Sequence, residues 1–130
     1  MGTDEPLHQQ FGTPLGEWIQ HRADELGHDE VGFWQIVPEG RRGFGLTGAG
    51  LDEFVRRSLL SLFAHGAVPV RHVPESGRVW TWQRSYGASA EEMADAIVSE
   101  WVREGRPDPD LGDLWFGLKD ALDRPFVQKS

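Results

Sequence analysis

The stretch that decides the fold is Leu51-Asp52-Glu53-Phe54-Val55-Arg56-Arg57-Ser58-Leu59-Leu60-Ser61-Leu62-Phe63-Ala64-His65-Gly66. Its apolar residues Leu51, Phe54, Val55, Leu59, Leu62 and Phe63 recur at steps of three and four, which lays one broad apolar stripe along a helix. Asp52 and Glu53 stand near its start and His65 near its end, the polarity that suits the helix dipole. Gly66 supplies a left-handed cap to end it. The spacing therefore predicts a helix over 51–65 that forms the spine of the core.

Beyond Gly66, residues 67–73 and 78–84 flank Pro74-Glu75-Ser76-Gly77, a turn sequence, and read as a β-hairpin. Trp80 and Trp82 share one face of its second strand, with Val79, Thr81 and Gln83 on the other. Ser89-Ala90-Glu91-Glu92 is a capping box that opens a helix to about residue 104, with Ala90, Met93, Ala94, Ile97, Val98 and Trp101 inward and Gly105 closing it. Residues 114–122 read as a final short helix, although Leu114-Trp115-Phe116-Gly117-Leu118 also suits a strand. Upstream of the spine, residues 38–50 hold five glycines (40, 43, 45, 48 and 50), too many for a helix, so a loop is expected, with Phe44 and Leu46 in a short returning strand. Residues 31–37 read as a buried strand. Thr13-Pro14 opens a first helix whose Leu15, Trp18, Ile19, Ala23 and Leu26 face inward up to Gly27. Residues 1–12 and 125–130 are expected as flexible tails around a single globular domain at 13–124. The expected fold is α+β: a small, mostly antiparallel sheet (hairpin 67–84 plus strand 31–37) packed by three to four helices.

The 130 residues suit one domain, and 38% apolar residues with six Trp, seven Phe and one Tyr describe an ordered core. With no Cys, disulfides, thiolate metal sites and Cys nucleophiles are excluded. No apolar run approaches the ~20 residues of a membrane span, and the start Met1-Gly2-Thr3-Asp4-Glu5-Pro6 lacks the features of a secretory signal. A soluble, cytoplasmic, bacterial-type protein without a membrane partner is the expectation.

The net charge of −8 is unevenly spread. Residues 41–84 carry seven arginines against three acids, a net of +4, while six basic residues against eighteen acids leave −12 on the remainder. Two destinations suit such a block: pairing with the chain's own acids, or contact with an anionic partner. For the second, the candidate binding residues are Arg41, Arg42, Arg57, Arg71, Arg78 and Arg84 with Trp80 and Trp82, because Arg and Trp dominate binding hot spots. Trp80 and Trp82 are either core or an exposed pair beside Arg78 and Arg84; Thr81 and Gln83, suited to an outer face, favour burial of the pair. Trp18, Trp34 and Trp101 are expected in the core.

Other patterns carry less. Gly43-Phe44-Gly45-Leu46-Thr47-Gly48 matches a phosphate-cradling loop, but no strand feeds its first glycine, so it reads as a glycine-rich turn. Glu17, His21, Asp24 and His28 share a helix stripe at metal-ligand spacing, on a face expected to be solvated. Ser61 and His65 lie one turn apart, with neither an orienting acid nor an oxyanion hole identifiable. A helix followed by a hairpin suggests a winged helix, but 38–50 reads as unable to supply the preceding helix.

The segments Phe33-Trp34, Phe44-Gly45-Leu46, Phe54-Val55-Arg56-Arg57-Ser58, Gly66-Ala67-Val68-Pro69-Val70 and Leu114-Trp115-Phe116-Gly117-Leu118 resemble those of small bacterial proteins of unknown function, over about residues 30–118. The resemblance implies no activity and no site residues. The functional expectation is a non-enzymatic module, without a cofactor, that binds a protein or an anionic ligand. The alternative is a nucleic-acid-binding regulator using the Arg-rich segment 41–84, which the net negative charge disfavours.

Overall fold

The computed structural model describes residues 7–27, 30–71, 81–109 and 114–119. Three α-helices run through them, α1 (Leu15–Asp24), α2 (Gly48–Ala64) and α3 (Ala90–Arg103), with four strands, β1 (Val31–Gly32), β2 (Ala67–Arg71), β3 (Thr81–Trp82) and β4 (Trp115–Leu118). The strands form one open antiparallel sheet in the order β1-β4-β2-β3, so the α+β expectation holds. α2 lies between α1 and α3 and also packs on β2. No helix among the described residues is long and apolar enough to cross a membrane.

The spine is where the periodicity places it. Leu51, Phe54, Val55, Leu59, Leu62 and Phe63 are all buried. The helix starts three residues early, at Gly48, so Asp52 falls in the second turn and bonds Arg106. Gly66, at φ 94°, ends it by donating to the Phe63 carbonyl. α3 opens on the expected capping box: the Glu92 amide donates to Ser89 Oγ and the Ser89 amide to Glu92 Oε1, each at 3.1 Å. It closes in a Schellman turn, with the Gly105 amide donating to the Val102 carbonyl and the Arg106 amide to the Trp101 carbonyl.

β2 and β3 pair as the hairpin reading requires, Val70 opposite Trp82 and Arg71 opposite Thr81. Residues 72–80, including the turn, Arg78 and Trp80, lie outside the described residues. Pro69 stands in a strand paired on both sides. The Gln83 amide donates to the Pro69 carbonyl at 2.8 Å, but proline has no N–H to return the bond, and β3 ends at Trp82.

Four expectations are corrected. The expected final helix begins as strand: Trp115–Leu118 is β4, which bridges β1 and β2 and thereby satisfies both ladders, with Phe116 wholly buried. The expected strand 31–37 stops after Val31–Gly32 and becomes a 3-10 turn at Phe33–Gln35, held by the Gly32 amide donating to Gln35 Oε1. The glycine-rich segment does hold helical backbone, a π turn over Glu39–Gly43, and Phe44 and Leu46 form no strand. Gly40 explains the helix: an added Cβ would stand 2.5 Å from Phe54 Cδ2 and 2.8 Å from Leu51 Cδ1, so the missing side chain lets this turn lie directly on α2. A helical turn thus does precede α2, but α2 is enclosed by α1 and α3 and is not free to enter a groove.

Finally, residues 7–12, placed in the tail, fold against that π turn. His8 is buried, and its Nδ1 accepts from the Gln10 and Phe11 amides, leaving Nε2 to donate to Glu39 Oε2 at 2.7 Å.

Candidate ligand cavity

The arginines of the 41–84 block do not converge. Arg41 and Arg42 meet at one carboxylate, Asp108, and Arg41 also donates to the Arg106 carbonyl at 2.7 Å. Arg56 bonds Asp95 of α3 at 2.8 Å. These contacts are internal pairing with acids of the flanking, negatively charged segments. Arg57 is exposed on α2 and has its own interaction. Arg84 lies over the half-buried Trp82 ring, 4.0 Å from its centroid, and Lys119 approaches the same ring at 5.2 Å. Arg78 and Trp80 lie outside the described residues.

Among the described candidates, Arg71 lines a partly enclosed space, and Arg42 borders two wider and more open hollows, one with His8 and Gln9 and one with Arg22 and Trp34. Between the end of β2, the C-terminal half of α3, the 3-10 turn Arg84–Tyr86 and the chain after α3 is a cavity of about 130 Å³. Each wall has a local cause. The inward stripe of α3 supplies Ile97 and Trp101. The turn after β1 supplies Phe33, whose amide donates to the Leu114 carbonyl, and Leu114 itself adds a third side. Phe33 and Trp101 meet edge to face, 6.3 Å apart. The last wall is Pro107 and Pro109. That loop is fixed three times: Trp101 Nε1 donates to the Pro107 carbonyl, Arg106 grips Asp52 through two 2.7 Å bonds, and Arg41 and Arg42 hold Asp108. The surface arginine pair thus shapes the cavity from behind.

The polar groups are Arg71, Tyr86, Glu100 and Glu104. Tyr86 is buried and donates its hydroxyl to Glu100 Oε1 at 2.8 Å, and Arg71 lines the same space. Burial pushes the phenol pKa up, the bond to Glu100 pushes it further, and Arg71 opposes both. At the loop, the Arg106 hydrogen bonds hold the Asp52 carboxyl below its ordinary range, against a smaller opposing effect of burial. The cavity is walled by aromatic, aliphatic and proline side chains, and Arg71, Glu100 and Glu104 bring both signs of charge to its lining.

The other sequence candidates carry no comparable geometry. Gly43 is pressed on His8 and Glu39, so the glycine loop serves packing. Glu17, His21 and Asp24 are exposed along α1, His28 lies outside the described residues, and no cluster with metal-ligand geometry occurs among the described residues. His65 Nδ1 bonds the Ser61 carbonyl, not its hydroxyl. Trp101 is buried as expected and Trp18 partly so, but Trp34 is 36% exposed, because the turn at Phe33–Gln35 rotates it out of the core onto Trp115.

Sequence reasoning missed Tyr86, Glu100 and Phe33 as site residues. The available signal was the chain's one tyrosine beside a glycine, 14 residues before a glutamate on the capping-box helix. Compared with known proteins, the chain matches no family model, no curated protein and no solved structure.

Proposed function

We propose that this chain works by binding, and that its ligand site is the cavity lined by Arg71, Tyr86, Glu100 and Trp101. The observation that carries the reading is the buried Tyr86–Glu100 hydrogen bond, with Arg71 lining the same cavity, among walls formed by Phe33, Ile97, Trp101 and Leu114. Water alone has no need of two aromatic walls, and a core packed only for stability has no need of three polar side chains around one cavity. The nucleic-acid alternative depends on guanidiniums available to phosphate, and Arg41, Arg42 and Arg56 are already engaged with carboxylates.

A panel of small aromatic and aliphatic compounds, followed by chemical-shift mapping on the full chain, tests the reading. Binders should shift the Tyr86, Ile97 and Trp101 resonances and raise the melting temperature; at 100 times its Kd a ligand adds about 2.7 kcal/mol. Binders that shift only the Trp34 and Phe11 resonances, or no binders at all, would overturn it.

A further inference from the structure

We propose that the occupant of this cavity is an organic cation: a protonated amine or guanidinium on a short apolar stem, no larger than one six-membered ring. The inference rests on the reading of the cavity as a ligand site and adds its charge selectivity. The size follows from the volume. About 130 Å³ is slightly less than the ~150 Å³ apolar cavity that admits benzene. It suits one ring, or a chain of about four carbons such as that of a lysine side chain.

The sign follows from the lining. Glu100 in the last turn of α3 and Glu104 at its C-cap lie four residues apart, and both border the space. Arg71, the one cation among the described lining residues, offsets one of the two carboxylates, and Tyr86 donates its hydroxyl to Glu100. Glu104, exposed at the rim, has no cationic partner among the described residues, and the lining keeps a formal charge of −1. The aromatic lining adds to it: Phe33, Tyr86 and Trp101 border the space, and an aromatic ring offers a cation a favourable contact on its face. The walls take the stem, and the rim carboxylate takes the charge while leaving it in contact with water, so no bare ion is buried.

The test compares three probes of one shape at neutral pH: benzylammonium, toluene and benzoate, titrated into the full chain and followed by the Ile97 and Trp101 resonances. Benzylammonium should bind at least about tenfold more tightly than benzoate, a difference of ~1.4 kcal/mol. Glu104→Gln should remove most of that preference without changing toluene binding. Glu100→Gln, whose amide oxygen still accepts from Tyr86, should weaken it further with the fold intact. N-acetyl-lysine N-methylamide identifies the source: binding comparable to benzylammonium indicates a lysine side chain of a partner, and much weaker binding indicates a free amine. Toluene and benzoate binding as well as benzylammonium would overturn the charge selectivity and leave the cavity reading standing. No shift with any probe would overturn both.

Discussion

Arg41 and Arg71 belong to one arginine-rich stretch and end in different roles. Arg41, with Arg42, closes on Asp108 and the Arg106 carbonyl at the surface, and this pair holds a loop. Arg71 ends beside a buried phenol at the edge of a cavity whose far wall is that same loop. A block of like charge in sequence therefore says that opposite charge must be met, not where. What separates the two is enclosure: the surface pair is solvated and individually weak, whereas the polar groups around Tyr86 sit where each must be matched.

The comparison can be broken at several points, in order of expected effect. Leu59→Ala empties a wholly buried position on α2, behind both regions, and should cost ~2–5 kcal/mol in urea unfolding. A midpoint equal to that of the wild type would mean that α2 is not the spine. Gly40→Ala presses a methyl group into Phe54 and Leu51 and should cost about 1–3 kcal/mol. If it is neutral, the π turn does not depend on the missing side chain.

Tyr86→Phe removes the hydroxyl that bonds Glu100 and should cost about 0.5–1.5 kcal/mol at neutral pH. It should also change the alkaline limb. The folded phenol keeps its proton to higher pH than the unfolded one, so above the ordinary tyrosine value of about 10 the unfolded state loses its proton first and stability falls. Urea midpoints from about pH 8 to about pH 11 should fall more steeply for the wild type than for Tyr86→Phe. Identical slopes would place the hydroxyl in water. The smallest effect belongs to the surface pair: replacing Arg41 and Arg42 by Ala should cost less than about 1 kcal/mol. The same change should weaken ligand binding in the cavity, because the loop bearing Pro107 and Pro109 loses one of its anchors. Unaltered binding in the double variant would separate the two regions.

Local rules made the regular elements legible in the sequence. The stripe of α2, the Ser89–Glu92 box and the stops at Gly66 and Gly105 each depend on neighbours within a turn or two, and each is present. What stayed illegible depends on partners far along the chain. Helical backbone at Glu39–Gly43 needs Phe54 over Gly40. A strand at Trp115–Leu118 needs β1 and β2 on either side, without which Leu-Trp-Phe-Gly-Leu suits a helix equally well. Of the six candidate site residues that the structure describes, Arg71 alone lines this cavity. Glu100 sits on a helix where periodicity assigns it no role, and Tyr86 sits in a segment without period; only the tertiary fold puts them 2.8 Å apart. The arginine pairs were readable as charge, but Asp108 is 67 residues from Arg41 and Asp95 is 39 from Arg56.

The central claim is that the cavity, rather than the exposed aromatic side chains Trp34 and Phe11, receives the ligand. Intermolecular nuclear Overhauser effects between bound benzylammonium and the protein test it most directly. The account predicts contacts from the ligand ring to the Ile97 methyl groups and the Phe33 and Trp101 rings, with the ligand methylene nearest Glu104. Contacts confined to Trp34, Phe11 or Leu7 would contradict it.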